Sequence, residues 1–377
     1  MRRRFISYEW LVVGRGPESV KTTVSKTGLP GRRAALLLLA GLLVTGSSNA
    51  EKRPPVPVKK PVNLVWPLPP QKPRVKFLDY LANNTDVEPP KQKGWLQKLI
   101  NEDASTNVIG MKQPAGIAVD SKDRIYVADT IAGSVFVFDR EKKSLSLLGA
   151  ESAGKLVSPF GVAIDSHDNI YVSDVRLKQV NIYDPEWNLK GLVHTIGGQD
   201  LVNPAGLALD EERRRLLIVD SHAHHIVVAN LDHPDQGTFF GKRGEEEAEL
   251  NFPVHAAVDK AGQIYVTSTL GFSVKVFDKD FKFVRTLGKH GDGIGMFDRP
   301  KGVAIDSEGH LYVADASFSN FQIFDPDGRT LLFVGGFGKD PGFFLVPSAI
   351  FIDKKDRIYV SDSANKRIQI FQFLGGR

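Results

Sequence analysis

The feature that most constrains the fold is a unit of 45 to 49 residues that recurs six times after residue 111. Each copy opens with a proline that starts a short apolar strand, and these openings read PAGIAVD, PFGVAID, PAGLALD, PVHAAVD, PKGVAID and PSAIFID. A polar turn leads to a second strand, such as IYVAD, and then to a third, such as VFVFD. Short strands rich in Val, Ile, Tyr and Phe, separated by turns at this spacing, predict an all-β repeat protein.

A single meander of this length cannot bury both of its faces, whereas meanders stacked radially cover one another. The repeat therefore predicts a six-bladed β-propeller of four-stranded antiparallel blades. The proline suits the first position of the innermost strand, where no hydrogen-bond donor of the ladder is lost. Small residues follow it two positions later in five copies, as the crowded centre of a ring requires: Gly116, Gly161, Gly206, Gly302 and Ala349.

The last blade needs a strand from elsewhere. Blades 1–5 continue into a fourth, outer strand, but the chain ends at residue 377 before blade 6 can form one. Residues 74–81, RVKFLDYL, have the alternating apolar pattern of a strand. We expect this N-terminal strand to complete blade 6, so that a chain trimmed to residue 111 would have an open ring. The propeller domain is therefore predicted to span residues 74–377.

Several stretches resemble the NHL repeat, most clearly residues 295–300, 342–347 and 362–371. The resemblance covers residues 111–377 and implies a six-bladed propeller of the exported bacterial type. Two features depart from it, because Ser268 replaces the aspartate that ends the second strand and blades 1–5 lack the full Asn-x-Arg turn. In the other blades that aspartate is predicted to accept backbone N–H groups of the following turn: Asp129, Asp174, Asp220, Asp315 and Asp362.

The N-terminus has the pattern of a signal peptide over residues 1–50. Arg32 and Arg33 precede eleven apolar residues, and small residues end the stretch at Ala50. Eleven residues fall short of the roughly 20 needed to span a bilayer. The alternative is an internal apolar segment that begins the fold. Residues 44–47, VTGS, resemble a lipoprotein box with Ser47 in place of its cysteine, so the mature protein is expected in the periplasm or secreted.

Residues 51–73 are rich in proline and predict an extended polyproline II linker. Residues 95–100, WLQKLI, predict a short amphipathic turn of helix. The chain has no cysteine, which excludes disulfides, thiolate catalysis and cysteine-bound metals. Residues 1–50 hold eight basic and two acidic residues, so the remainder carries 41 basic and 42 acidic side chains. A body this close to neutral argues against a nucleic acid partner.

Histidines are the one candidate for metal chemistry. His222, His224 and His225 lie in the turn between the second and third strands of blade 3, and His255 lies at the start of blade 4. Together they could bind Zn²⁺, Cu²⁺ or haem iron; alternatively they are solvated loop residues that never converge. The fold also resembles amidating lyases and lactonases, which implies a metal-dependent lyase or hydrolase centred near His255. Against this, only blade 4 has a histidine at that position, and no inner strand opens with an acidic residue.

The turns between second and third strands predict a binding rim. Mixed basic and aromatic side chains on a rigid frame suit recognition of a protein, peptide or glycan. The predicted rim residues are Arg176, Lys178, Phe272, Phe318, Lys366 and Arg367. The sequence thus favours a non-catalytic, cofactor-free, exported binding or scaffold protein, either a monomer or part of an envelope complex. A structural subunit of an electron-transfer complex is a further alternative.

Overall fold

The computed structural model describes residues 63–89, 108–151 and 154–375. The predicted signal peptide, the first part of the proline-rich linker and the predicted helical turn at residues 95–100 lie outside these residues. Within them the protein is built from β-strands and four single turns of 3-10 helix, at Asn84–Asp86, Glu211–Arg213, Thr269–Gly271 and Ser363–Asn365. No helix in the described part of the chain is long and apolar enough to cross a membrane.

Six antiparallel sheets form the blades, as predicted. Their strands, from the inside outwards, are Pro114–Val119, Ile125–Asp129, Ser134–Asp139 and Ser144–Leu148 in blade 1; Pro159–Ile164, Ile170–Asp174, Gln179–Tyr183 and Leu189–Val193 in blade 2; Pro204–Asp210, Arg215–Asp220, His225–Asn230 and Gly237–Phe240 in blade 3; Pro253–Val258, Ile264–Ser268, Ser273–Phe277 and Phe283–Leu287 in blade 4; Pro300–Ile305, Leu311–Asp315, Asn320–Phe324 and Thr330–Gly335 in blade 5; and Pro347–Ile352, Arg357–Asp362, Arg367–Phe373 and Val75–Leu81 in blade 6. A small hairpin, Thr195–Ile196 with Gln199–Asp200, follows blade 2.

The ring is closed by the N-terminal strand. Val75–Leu81 pairs antiparallel with Arg367–Phe373, so that Val75 lies opposite Phe373 and Leu81 opposite Ile368. The inner strand of each blade packs against the inner strand of the next, and that of blade 6 packs against that of blade 1. The predicted fold class and the predicted closure of blade 6 are therefore confirmed.

The polyproline II expectation does not hold for the end of the linker. Val65–Trp66 is a short strand that pairs with Val75 and Lys76 and adds a fifth strand to blade 6. The Trp66 ring meets the buried Phe371 ring edge-on, with 5.7 Å between the ring centres. Apolar side chains among the prolines thus draw this segment onto the core.

The centre of the ring is as crowded as the small residues indicated. A Cβ atom on Gly116 would lie 2.6 Å from the Phe160 carbonyl oxygen, and one on Gly161 would lie 2.4 Å from that of Ala205. Carbon atoms at these distances from an oxygen clash. The glycines therefore let neighbouring inner strands approach each other closely around the axis.

The two ends of the blades differ in their connections. At one end lie the turns between second and third strands and the connections that precede the inner strands; we call this end the loop face. The hydrogen bond from the Val157 N–H to the Asp174 carboxylate, at 2.7 Å, shows that both kinds of connection share it. The opposite face carries the polar turns that follow the inner and third strands. There the aspartate that ends an inner strand accepts a tyrosine hydroxyl, as in Asp306 and Tyr312 at 3.0 Å.

Candidate functional site

The loop face is held together by the aspartates that end the second strands. In blade 2, the buried Asp174 carboxylate accepts the N–H groups of Val157 and Ser158, at 2.7 and 3.0 Å. It also accepts those of Arg176 and Leu177, at 3.0 and 2.9 Å. The predicted capping of the following turn is confirmed for Asp129, Asp174 and Asp315, whereas Asp220 and Asp362 accept backbone N–H groups from the preceding connection. The structure adds that one carboxylate, as in Asp174, joins two loops. The loop face is therefore a preorganised surface.

The other blades repeat or modify this arrangement. Ser268 of blade 4 replaces the aspartate, and its hydroxyl accepts only the Asn251 N–H, at 2.8 Å. In blade 6, Asn365 and Arg367 donate from their side chains to the Asp362 carboxylate, both at 2.8 Å. The Asn-x-Arg turn of the repeat is therefore an internal support for the loops.

Five predicted rim residues are available on the loop face to different extents. Arg176, Lys178 and Lys366 are exposed, and Phe318 is half-buried. Phe272 is half-buried because its ring packs on His290, with 4.4 Å between the ring centres.

Arg367 does not lie on the exposed surface where the sequence placed it. Its side chain is buried, and besides Asp362 it donates to the backbone carbonyls of Asp340 and Phe343, each at 3.0 Å. The physical reason is the buried carboxylate, which requires a cation beside it. Arg367 therefore supports the loop face from inside and is not available to a partner.

The predicted histidines converge only in part. His222 and His224 both pack on Phe252, with ring centres 5.3 and 6.3 Å from it. The His224 Nδ1 atom accepts the Phe252 N–H at 3.1 Å, so that nitrogen is already engaged. His225 packs on Phe239 instead. In the described part of the chain, no three His, Asp or Glu side chains are grouped so that they could hold a metal ion.

Exposed apolar side chains distinguish the loop face from the opposite face. They lie in the turns between second and third strands, directly before the inner strands, and in the longer connections between blades: Ile131, Val157, Leu177, Val202, Leu270, Ile294, Phe337, Phe343 and Val346. Phe337 is 81% and Ile294 is 77% exposed. At the opposite end of the blades, the described residues include two exposed large apolar side chains beside the turns, Leu68 and Leu374, and both belong to blade 6. Contiguous exposed apolar surface marks a binding site more often than chance exposure does.

A narrow cavity of about 230 Å³ lies on the axis of the ring. Aliphatic side chains of the inner strands line it, and His255 is the one titratable residue in that lining. Within the lining of the cavity this imidazole has no second titratable side chain beside it. The cavity has room for a small group, to which the lining presents one imidazole among apolar side chains.

His255 is buried at the loop-face end of this cavity, 9% exposed. Burial lowers the pKa of its imidazole to about 4, the positive charge of Lys301 lowers it further, and the Ser348 backbone carbonyl acts in the opposite direction. The Nε2 atom is enclosed and has no hydrogen-bond partner in the described structure. The Phe160 ring lies beside the imidazole, with 5.5 Å between the ring centres.

The Lys301 ammonium is a second polar group without a described partner at this end of the cavity. It is half-buried, burial lowers the pKa of its ammonium, and the neighbouring Arg299 lowers it further. No described side chain forms an ion pair with it. By contrast, the buried Lys275 donates to the Glu246 carbonyl oxygen at 3.0 Å; burial lowers its pKa, and acidic side chains nearby act in the opposite direction.

Sequence reasoning missed Lys301 and Phe160. Both directly follow the proline that opens an inner strand, where the other blades have small or aliphatic residues: Ala115, Ala205, Val254 and Ser348. The larger side chains at these two positions were the sequence feature that could have identified them. We call His255, Phe160 and Lys301 the channel mouth.

The buried imidazole predicts a pH dependence of stability. Because the pKa of about 4 in the folded protein lies below the ordinary 6.5, the unfolded chain takes up the proton first as the pH falls. The free energy of unfolding should keep this contribution above pH 6.5 and lose about 3 kcal/mol of it by pH 4. Denaturant unfolding of wild type and His255→Gln across this range measures the difference, which should shrink towards low pH; a constant difference would contradict a neutral buried His255.

Comparison with known proteins agrees with the fold. The model of the NHL repeat matches residues 111–138 and 297–324. No curated protein sequence matches the chain. Among solved structures, a streptogramin B lyase has 10% identity and a TM-score of 0.52, over 72% of this chain and 85% of the lyase chain.

Two further structures are similar to the same extent. A gluconolactonase from Xanthomonas campestris has 17% identity and a TM-score of 0.55, over 70% of this chain and 86% of its own. A protein of unknown function from Bacteroides thetaiotaomicron has 16% identity and a TM-score of 0.57, over 78% of this chain and 76% of its own. At these identities the similarity concerns the fold alone.

Proposed function

We propose that this chain, a six-bladed β-propeller that carries NHL repeats, is a non-catalytic binding protein that receives a protein partner on its loop face. The observation that carries the proposal is the concentration of exposed apolar side chains on that face, with Phe337 at 81% exposure. Protein interfaces combine an apolar centre with basic and aromatic residues. Here Arg176 and Lys178 are the basic residues, and Phe272 is the aromatic one. A protein partner accounts for apolar surface spread over several blades better than a glycan does.

The rigidity of the loop face supports the same proposal. Carboxylates such as Asp174 fix the connections on both sides of a blade through several backbone hydrogen bonds. A surface that is already ordered loses less conformational entropy on binding. The loop face therefore has the preorganisation expected of a binding surface.

The proposal includes export to the periplasm or the cell exterior. It rests on the sequence pattern of residues 1–50 and on the absence of cysteine from the chain. We expect the protein to act there as a monomer or within an envelope complex.

The competing function is a metal-dependent lyase or hydrolase centred near His255, and the lyase and lactonase among the similar structures give it a fold precedent. The residues around His255 do not fit a metal, because the cavity lining offers aliphatic side chains where ligands would be needed. Elemental analysis of residues 51–377 before and after dialysis against a chelator separates the two. One equivalent of metal that is lost in His255→Ala would favour the enzyme.

Replacing Phe337 with Asp is expected to reduce capture of a protein partner from extracts of the source cells by about tenfold or more, as loss of a central interface residue does. The bait is the full-length protein, and captured proteins are quantified by mass spectrometry against wild type. Leu331→Asp is the matched control. Leu331 is also exposed, but it lies in the outer strand of blade 5 and not in a loop-face connection. Equal loss of the partner in both variants, or no discrete partner at all, would contradict the proposal.

A further inference from the structure

We propose that the channel mouth binds a carboxylate group presented by the partner, with the Lys301 ammonium as its ion-pair partner and the His255 imidazole as a second hydrogen-bond donor. This inference rests on the proposed function, because it takes the carboxylate to come from the protein that docks on the loop face. It identifies the recognised chemistry as an aspartate, a glutamate or a chain terminus.

The first step of the argument is that two polar groups are left unsatisfied at one place. The His255 Nε2 atom is enclosed and has no hydrogen-bond partner in the described structure. Lys301 is half-buried and forms no ion pair with a described acidic side chain. Leaving such groups buried without partners costs about 1–3 kcal/mol each, so their pairing at a functional site is the expected reason for keeping them.

The second step is the sign of the charge. The charges that act on His255 and Lys301 are those of Lys301 itself and Arg299, and both are positive. Other partly buried cations have partners: Arg124, Arg357 and Arg367 pair with carboxylates. Lys275 and Arg285 donate to backbone carbonyls. The channel mouth is therefore an isolated positive site that an anion would neutralise.

The third step is the kind of anion. The mouth offers one ammonium and one imidazole, while Ala115, Ala205 and Val254 at the equivalent positions of other blades are buried and apolar. A singly charged carboxylate on an apolar stem matches this composition. A phosphate or sulfate dianion would find only one half-buried ammonium at the channel mouth, because the neighbouring Arg299 is exposed to solvent. The cavity of about 230 Å³ also restricts the ligand to a small group.

The direct test is titration of the full-length protein with acetate, followed through the histidine ring signals in NMR spectra. His255→Gln identifies the His255 signal. Acetate should shift that signal saturably, with a dissociation constant on the order of millimolar for a single ion pair. Lys301→Met should weaken acetate binding about tenfold or more. Lys260→Met, which removes an exposed lysine from the turn after the inner strand of blade 4 on the opposite face, is the control and should leave acetate binding unchanged.

Four outcomes would overturn the inference. The His255 signal could fail to saturate, Lys301→Met could bind acetate as well as wild type does, or sulfate at equal ionic strength could bind as tightly as acetate. Capture of the partner could also be unaffected by Lys301→Met although acetate binds, which would assign the site to a free small carboxylate. Failure of the proposed function is recognised separately, because the acetate titration requires no partner. Circular dichroism confirms that the variants fold, and Lys301→Gln serves as the second variant.

Discussion

Replacing Phe77 with Ala is expected to lower the free energy of unfolding by about 3–5 kcal/mol, as truncation of a fully packed phenylalanine does. Phe77 lies in the N-terminal strand that closes blade 6 and is 4% exposed. Its ring meets the Phe371 ring edge-on with 5.5 Å between the centres, so the variant weakens the contact between the two ends of the chain. Chemical denaturation of the full-length protein measures the effect.

Leu78 provides the matched control in the same strand. It is 42% exposed and faces outwards, so Leu78→Ala should change the free energy of unfolding by about 0.5 kcal/mol or less. A chain that begins at residue 111 lacks the strand entirely and should lose its single cooperative transition. Equal effects of the two alanine variants, or a cooperative transition in the shortened chain, would contradict closure by this strand.

Replacing Asp174 with Ala is expected to cost about 3–5 kcal/mol of stability, because it leaves several backbone donors without their charged acceptor. The carboxylate accepts four N–H groups and is fully buried. Two loops lose their common support, so binding on the loop face should fall together with stability. Thermal unfolding and partner capture measure the two consequences.

The control is Asp184 in the same blade. This half-buried aspartate also accepts backbone donors, Glu186 and Asn188, at 3.0 and 2.8 Å, but it lies on the opposite face and holds a single turn. Asp184→Ala should therefore destabilise the protein clearly less and leave partner capture intact. A comparable loss in both variants would show that Asp174 acts as an ordinary turn cap.

Most of the fold could be predicted from the sequence because a repeat supplies the same evidence six times. Blade 6 lacked an outer strand of its own in the repeat pattern, and residues 74–81 had the alternation of a strand. The pairing of Val75–Leu81 with Arg367–Phe373 confirms that this segment completes the blade. The role of Asp129, Asp174 and Asp315 as acceptors for the following turn was predicted correctly, but the bonds of Asp220 and Asp362 to the preceding connection were not. The strand at Val65–Trp66 was missed because prolines around it dominate the local pattern.

The site was less accessible to sequence reasoning. Arg367 has the composition of an exposed turn residue, and only the three-dimensional position of Asp362 explains why it is buried. Lys301 and His255 are 46 positions apart in sequence. Their meeting at the channel mouth depends on how neighbouring inner strands are aligned around the axis, which no local pattern encodes.

The closure of blade 6 also determines which part of the protein can fold last. Val75 and Phe373 are paired although they are 298 positions apart, so Val75–Leu81 cannot pair until Arg367–Phe373 has been synthesised. Contacts this distant in sequence form late, because the entropy of closing the intervening loop opposes them until the rest is in place. The ring therefore closes only after Arg367–Phe373 has been made. A chain that is interrupted before this strand leaves Val75–Leu81 without its partner, and its ring stays open.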